Sequence, residues 1–536
     1  MRRLLVGLGL VALLSTLVLA QSGASAPAFV IADVHVRPHS SDPNPFMTGG
    51  GLRGERFDLR NATMLDLITF AYGVEAGTVL GGPSWLDRRR FDILAKAPQN
   101  STREDLKLML QGLLVSRFKL AIHKDTRPVS STTLTVVGDK PKIRAAATET
   151  AGMSACTPSQ TAPPGGIALF NLSCHGASMT TFVDWLRSTG NGYITTRVVD
   201  QTGLEGAWDF DVKWNPRYAV IQPGVEFTTM FAALEQQLGL KLTLQDVPAP
   251  VLVVDSANDV PTPNPSGVDA ALPPPPPAEF DVADIKVSAP DARTMGRLQP
   301  NGRLDFQGYT MKQLVTLAWD IRDDELLAGA PAWFNTTRYS IVAKASEAMG
   351  DQGFNFDDLR LMVRALLKER FNMATHVEDR PVAAYSLLVA DKPKFQAADP
   401  NHRSKCQDAA AGPGQKDPRE TNPMLNVWKI CQNVTMAEFA EDLSVLAPSY
   451  LRQPVVDATG LSGAYDLTLS WSNYTTVYGA VQSDGGAGGT LGASTPSGAL
   501  SLYDALQKQL GLKLELRKRP MPVLVIDHID EQPSDN

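Results

Sequence analysis

Apolar residues recur along the chain at two spacings, and each predicts a different kind of element. Positions i, i+3, i+4 and i+7 are apolar in 64–72, 106–114 and 359–367, which predicts amphipathic helices there. Alternating or β-branched runs, such as 241–245 and 251–254, predict strands. The mixture predicts an α+β protein rather than a helical bundle or an all-β sandwich.

Local signals predict where several of these helices begin and end. Gly239 and Gly511 stand where a helix would end in a left-handed residue. A capping box pairs a Ser or Thr with an acidic or amide residue three positions later, and both satisfy backbone groups of the first turn. Such boxes are predicted at three helix starts: Ser101 with Glu104, Thr310 with Gln313, and Thr435 with Glu438.

The chain is a tandem repeat. Long segments match a later segment without a gap, which predicts two homologous units, 27–255 and 279–530, followed by a tail, 531–536. Between the units lies 256–278, whose prolines predict an extended, semi-rigid linker. The strongest matches are 105–129 with 358–382, 198–214 with 455–471, and 234–255 with 506–527.

Each unit also divides into two fainter, related halves. Each half has the order strand–helix–strand–helix–strand–strand, which predicts small mixed or antiparallel sheets. The last two strands of a half are expected to flank a short proline-containing turn, as between 240–245 and 251–255. The Gly/Ser-rich stretch 483–501 predicts a mobile loop in the second unit.

The first 26 residues have the composition of a secretory signal peptide. Arg2 and Arg3 precede an apolar run, and small residues offer cleavage after Ala20 or after Ala26. An N-terminal membrane anchor is the alternative, although the run is short for a bilayer span. No later stretch has the ~18 uninterrupted apolar residues of a membrane helix. We therefore expect an exported protein, periplasmic or extracellular, that does not insert into a membrane after cleavage.

Composition narrows the class of protein. Hydrophobic residues make up 43% and charged residues 20%, enough apolar material for packed cores and too much for a disordered chain. The formal net charge of −7 argues against a nucleic-acid partner, which would need a phosphate-neutralising surface.

The four cysteines fall as one pair in each unit. In an exported chain this predicts the disulfides Cys156–Cys174 and Cys406–Cys431. A metal site is the alternative, but there is no C-x₂-C spacing, and His175 beside Cys174 is replaced by Gln432 in the second unit. No metal or cofactor is expected.

Motifs for catalysis give no consistent set, and no catalytic residue is predicted. Asp200 and Asp457 precede Thr-Gly as in aspartic proteases, but with an extra residue between, and a turn after a strand explains them better. Ser116 and Lys119 have the spacing of a serine acylase, yet their counterparts are Glu369 and Asn372.

One polar pattern could bind a ligand. His123 and Arg127, and at equivalent positions His376 and Arg380, alternate with an acidic residue on a predicted strand. Such a face could bind an anion. A cross-strand polar network on a solvated face is the simpler interpretation.

Several motifs together resemble the bacterial "soil-associated protein" family, exported proteins with a domain of unknown function. They are GGPSWL at 81–86, the VVD-x-TGL segments at 198–204 and 455–461, and the closing segments 522–528 and 533–536. The resemblance covers nearly the whole mature chain, twice, and implies sensing or regulation rather than a known active site. The halves also resemble the short N-terminal domain of secretins and TonB-dependent receptors, which implies protein–protein contact.

These observations favour an exported, non-enzymatic binding or sensory protein that could recruit envelope proteins through exposed sheet edges. A secreted hydrolase with an unrecognised active site and an inert envelope scaffold are the alternatives.

Overall fold

The structure of the chain is a computed structural model. The predicted signal peptide, except for Ala26, and most of the predicted loop 483–501 lie outside the residues that it describes. The described residues are 26–37, 46–146, 155–161, 167–189, 192–217, 227–275, 279–299, 302–321, 323–345, 356–409, 417–422, 424–478 and 498–534.

The first half of the first unit, half 1A, packs two helices against an antiparallel sheet. Apolar residues of the sheet, such as Phe57 and Phe91, meet Met64 and Phe118 of the helices in a core closed to solvent. The strands, in sheet order, are Ile31–Val36, Arg90–Lys96, Arg56–Thr63 and Thr48–Arg53, and the helices are Met64–Tyr72 and Arg103–Phe118. Short 3₁₀ turns, Ala76–Thr78 and Ser84–Asp87, flank the strand Val79–Gly81.

The second half, half 1B, repeats this plan around Trp214 and Phe182. Its strands, in sheet order, are Arg144–Ala145, Trp208–Trp214, Leu169–Ala177 and Ala155–Thr161. Its helices are Met179–Thr189 and Met230–Ala233, which continues as a π-helical turn, Leu234–Leu238, and Arg197–Asp200 is a further short strand.

A two-stranded ribbon joins the two halves. Ala121–Val136 leaves half 1A and pairs antiparallel along its length with Leu240–Ser256, which leaves half 1B. Each half adds one short parallel strand to the ribbon: Val79–Gly81 joins it beside Leu252, and Arg197–Asp200 joins it beside Thr132. The turn predicted between 240–245 and 251–255 is therefore wrong, because both segments belong to one continuous strand.

Prolines fit inside this ribbon because of where they stand. Pro128 and Pro248 are direct partners, as are Pro381 and Pro520 in the second unit. Neither member of such a pair has an N–H, so the pair occupies a place in the ladder where backbone groups point outwards and no ladder bond is lost. A proline there also removes an outward donor from the ribbon's free side, which blunts that edge against further pairing.

The second unit has the same architecture. In half 2A the strands, in sheet order, are Phe280–Val287, Arg338–Ala345, Arg303–Thr310 and Met295–Leu298, and the helices are Met311–Trp319 and Phe356–Arg370. Asp324–Leu326 and Ala332–Asn335 are 3₁₀ turns, and Leu327–Ala328 is a short strand. In half 2B the strands are Gln396–Ala397, Ala464–Trp471, Val427–Thr435 and Lys405–Asp408, with Val455–Asp457 beside the ribbon. Its helices are Pro418–Thr421, Met436–Leu446, Tyr474–Tyr478 and Leu502–Ala505, which continues as the π-helical turn Leu506–Leu510, and its ribbon pairs Ala374–Val389 with Leu512–His528.

The identical strand order of the two units confirms an α+β fold built from two homologous units. The left-handed ends at Gly239 and Gly511 are also present, with φ of 66° and 73°. Two predicted capping boxes, at Thr310 and Thr435, form as expected.

The third predicted capping box is wrong by one residue. Thr102 caps the helix by accepting a hydrogen bond from the Asp105 N–H, because the backbone is still extended at Thr102 and the helix begins at Arg103. Ser101 instead donates a hydrogen bond to the carbonyl of Pro98.

Both predicted disulfides are present, Cys156–Cys174 and Cys406–Cys431. In each unit the two cysteines face one another on neighbouring antiparallel strands. Cys174 and Cys431 are buried in their cores, so each bond ties an outer strand to the centre of its sheet.

The segment that follows the first ribbon packs along half 1A. Residues 258–273, which we name the strap, run back along half 1A. Asn258 donates its N–H to the carbonyl of Phe118, and Arg56 donates to the carbonyl of Pro273. The one-turn helix Val268–Ala271 packs on the strand Ile31–Val36. The strap is therefore part of the first unit's packing rather than a free spacer.

Candidate functional site

Paired arginines and aspartates hold the two units together. Arg88 donates from Nη2 to Asp442 Oδ2 at 2.6 Å and from Nε to Ser404 Oγ at 2.7 Å. In the opposite direction, Arg403 donates from Nε and Nη2 to the two carboxylate oxygens of Asp87, at 2.6 and 3.0 Å. Two-point contacts of this kind fix orientation as well as distance, so they set how half 2B sits on half 1A.

Burial changes the chemistry of this contact. Burial raises the pKa of Asp87 although the guanidinium of Arg403 beside it opposes the change. Burial, and next the positive charge of Arg403, lower the pKa of Lys405. The contact is thus a partly desolvated charge cluster rather than a set of surface ion pairs.

Further contacts between described residues join the units at two other places. Arg53 forms an ion pair with Asp358, and Thr48 donates to Asp357 at 2.8 Å, which links half 1A to half 2A. Arg217 of half 1B lies 3.3 Å from Asp417 of half 2B, and burial followed by the nearby Arg419 charge lowers the pKa of Arg217 to about 10.

Between these contacts lies a cleft of about 2080 Å³. Pockets that enclose a small molecule usually have volumes of ~300–1000 Å³, so this cleft has room for an extended ligand. Both units line it with arginines and acidic residues. The first unit adds Trp85, and the second unit adds Trp319 and apolar residues of its ribbon such as Val377.

One wall of the cleft, which we name the 319–364 wall, comes from the two helices of half 2A. Arg360 pairs with Asp320 at 2.7 Å and donates to Asp357 at 3.3 Å. The guanidinium of Arg364 lies over the ring of Trp319, 5.3 Å from its centre, and donates to the carbonyl of Ala318. Charge pairs and a cation–π contact hold these side chains in fixed positions.

This wall contains groups that its own packing leaves unpaired. Among the described residues, Asp320 Oδ2, Asp323 Oδ2 and Arg360 Nε are buried side-chain atoms without a hydrogen-bond partner. An unpaired buried polar atom costs ~1–3 kcal/mol. Burial also raises the pKa of Asp323. Such a concentration of unsatisfied groups is typical of surfaces selected for something besides stability.

The sequence-predicted ligand face lies elsewhere. His123 pairs across the first ribbon with Asp255 at 2.9 Å, and Arg127 pairs with Asp125 at 2.7 Å. His376 pairs in the same way with Asp527 at 2.8 Å, and Arg380 pairs with Glu378.

The two His–Asp pairs cross the ribbons, whereas each arginine pairs with an acidic residue on its own strand. All these half-exposed groups form polar networks on the ribbons, and none of them is among the side chains that line the cleft. Val377 lines the cleft, and because neighbouring side chains of a strand point to opposite faces, His376 points away from it. The hydrogen bond that the His376 ring donates to the Asp527 carboxylate raises the pKa of His376. The binding of an anion on this face stays a prediction.

The cysteines and acidic residues give no metal centre in the described part of the chain: it has no group of three or more His, Cys, Asp or Glu side chains placed to hold a metal. Cys406 lines the cleft, but as half of a disulfide it is no free thiol. Over the same residues, no helix is both long enough and apolar enough to cross a bilayer.

Sequence reasoning missed the cleft, although a signal for it exists in the repeat. Aligning the two units places Gly73 opposite Asp320, Thr336 opposite Arg88, and Trp185 opposite Asp442. A change of charge between otherwise similar copies marks the positions where the units face one another.

Comparison with known proteins finds the repeat directly. The family model DUF3738, described as a protein of unknown function, matches the chain twice, over residues 65–257 and 312–529. No curated protein and no solved structure matches the chain significantly. The predicted domain of unknown function in tandem is thereby confirmed, whereas the "soil-associated" name stays a prediction. The chain belongs to the DUF3738 family, of which it carries two copies of the domain.

Proposed function

We propose that this chain is an exported binding protein that holds an extended, hydroxyl-rich ligand, an oligosaccharide, in the cleft between its two units. The observation that carries the proposal is a difference between equivalent positions. The 319–364 wall has Trp319, Arg360 and Arg364 where the first unit has Tyr72, Lys107 and Gln111, and those three line no part of the cleft.

The chemistry of the wall suits a sugar chain. A hydroxyl group both donates and accepts hydrogen bonds, and an arginine beside an aspartate offers donors and an acceptor at one place. Trp85 and Trp319 offer apolar ring surface for the C–H faces of a sugar ring. The size of the cleft favours several sugar units over one.

Two features support export. The chain has two disulfides, a bond type that persists in oxidising compartments and is rare in the cytosol. Its first residues have the signal-peptide pattern. An exported protein would meet polysaccharides of the cell envelope or of the surroundings.

The experiment is titration calorimetry of the purified mature chain with cello-, chito- and xylohexaose, and with a pool of random decapeptides as the competing ligand class. We expect saturable binding of one hexaose. Trp319→Ala and Arg360→Ala should each weaken it tenfold or more, since a lost stacking or charged contact is worth ~1–3 kcal/mol.

The matched controls are Tyr72→Ala and Lys107→Ala, which make the same kinds of change at the equivalent positions outside the cleft. Equal losses from both pairs of variants would contradict a site in the cleft. If only the decapeptides bound, the ligand would be a peptide and not a sugar. If shortened sugars appeared after incubation, the chain would be a hydrolase instead of a binding protein.

A further inference from the structure

The equivalent sheet edges of the two units differ in how much of them the described chain covers. In the first unit, the strap covers the edge strand Ile31–Val36. The side chain of Asn264 accepts from the N–H of Val34 at 3.0 Å and donates to its carbonyl at 3.2 Å, so it pairs with the edge as a neighbouring strand would. Farther along, Val268 is buried, and Pro273 gives its carbonyl to the buried Arg56.

In both units, the chain that follows the ribbon makes the same first contacts with the edge strand. Arg117 donates to the carbonyls of Ala32 and Thr262, at 3.1 and 2.6 Å. Its counterpart Arg370 donates to the carbonyls of Ala283 and Ser534, at 3.1 and 2.7 Å. The chain therefore returns along each edge strand in the same way up to this point.

Beyond that point the described residues of the second unit place nothing equivalent to 265–275 on the edge strand Phe280–Val287. Val282 is 68% exposed and Val287 is 49% exposed. The side chain of Asp284 is 43% exposed, whereas its counterpart Asp33 is 3% exposed. Arg303, the counterpart of the buried Arg56, is exposed. Asn536, which aligns with Asn264, lies outside the described residues.

We propose that the edge strand of half 2A, with Val282 and Asp284, and Arg303 at the start of the third strand of the same sheet together form a docking site for a strap-like segment of a partner protein. The segment would carry an aliphatic side chain on a short helical turn, followed by prolines. It would bury the aliphatic side chain against the edge strand and give a backbone carbonyl to Arg303.

The first unit argues for this occupant. Because the two half-domains have the same strand order and the same arginine contacts, what fits the edge of one is the best guide to what fits the edge of the other. Prolines suit such a ligand, since a segment that is already extended loses little entropy when it binds. An exposed edge with apolar side chains is also one that proteins usually cover.

The experiment uses a fluorescein-labelled synthetic peptide with the sequence of residues 265–275, PSGVDAALPPP, and the full mature chain. Fluorescence anisotropy should show saturable binding of one peptide for each chain. Val282→Lys and Arg303→Glu should each weaken binding tenfold or more, and a peptide with Asp in place of its valine should not bind. Val137→Lys, which changes an exposed valine of the first unit, is the control and should leave binding unchanged.

Hydrogen exchange locates the bound peptide. Protection gained in 280–287 supports the proposal, whereas protection changed only in 31–36 would mean that the peptide merely exchanges with the chain's own strap. No saturable binding at 1 mM peptide would overturn the proposal. Dimerisation that Val282→Lys abolishes, with no peptide binding, would overturn the proposed occupant in favour of a second copy of the chain.

Discussion

The long helices Arg103–Phe118 and Phe356–Arg370 occupy the same place in their units and share their buried residues, yet their outer faces differ. Lys107 pairs within its own helix with the exposed Glu104, whereas its counterpart Arg360 reaches Asp320, which ends the neighbouring helix. The core-facing leucines and methionines are nearly unchanged. The copies have therefore kept the residues that fold them and changed those that face the cleft.

The same contrast holds at the contact between the units. Asp87 and Arg88 of the first unit bind half 2B, and the second unit has Asn335 and Thr336 at these positions. The fold of a single unit does not require the charges, because the second unit folds in the same way without them. They serve the pairing of the two units, and this assignment can be tested.

The largest effect should come from the disulfides, and it should be the same in both units. Removing Cys156–Cys174 or Cys406–Cys431 by double substitution to Ala should cost about 3 kcal/mol of unfolding free energy, because each bond closes a loop of similar length, with separations of 18 and 25 residues. Urea unfolding followed by tryptophan fluorescence measures this cost. A much smaller loss in one unit would show that the two copies are not equivalent in their folding.

A smaller effect, confined to one copy, is expected at the contact between the units. Arg88→Ala should lower the unfolding free energy by about 2 kcal/mol, because it leaves the partly buried Asp442 without its partner. Thr336→Ala, at the equivalent position, should change it by less than about 0.5 kcal/mol.

A double-mutant cycle between Arg88→Ala and Asp442→Ala checks the cause of this loss. We expect a coupling energy of about 1 kcal/mol or more. Additive effects would argue against a direct contact between the two side chains.

The smallest effect should have opposite signs in the two units. Burial raises the folded-state pKa of Asp323, so the native state binds more protons than the unfolded state, and stability falls as the pH rises above about 4. Asp323→Asn should therefore stabilise the chain slightly at pH 7, by less than about 1 kcal/mol, and the gain should disappear toward about pH 3, where the carboxyl is protonated in both states.

Its counterpart Glu75 forms a partly exposed ion pair with Arg187. Glu75→Gln should therefore destabilise slightly at pH 7. Thermal unfolding of both variants at about pH 3 and at about pH 7 distinguishes the two cases, and a loss of stability in Asp323→Asn at the higher pH would contradict the prediction.

Short-range sequence patterns and the positions of the cysteines determined much of what could be predicted about this protein's fold. The helical stripes, the left-handed glycines and the repeat are short-range patterns, and they predicted the helices and the two-unit α+β fold. The disulfides followed from one cysteine pair in each unit. Even the capping error at Ser101 was a shift of one residue, because neighbouring Ser and Thr offer the same oxygen to the helix start.

Only the tertiary structure decided how the halves and units meet. Pro248 and Pro250 favour a turn locally, but pairing with Ala121–Val136 along the whole ribbon outweighs that preference and keeps the strand continuous. Likewise, nothing in the prolines of 256–278 shows that part of the segment binds along half 1A as the strap. The cleft joins residues more than 300 positions apart, such as Arg88 and Asp442. Residues so far apart in the chain come into contact only when the folded units pack against one another. No local sequence pattern predicts that packing.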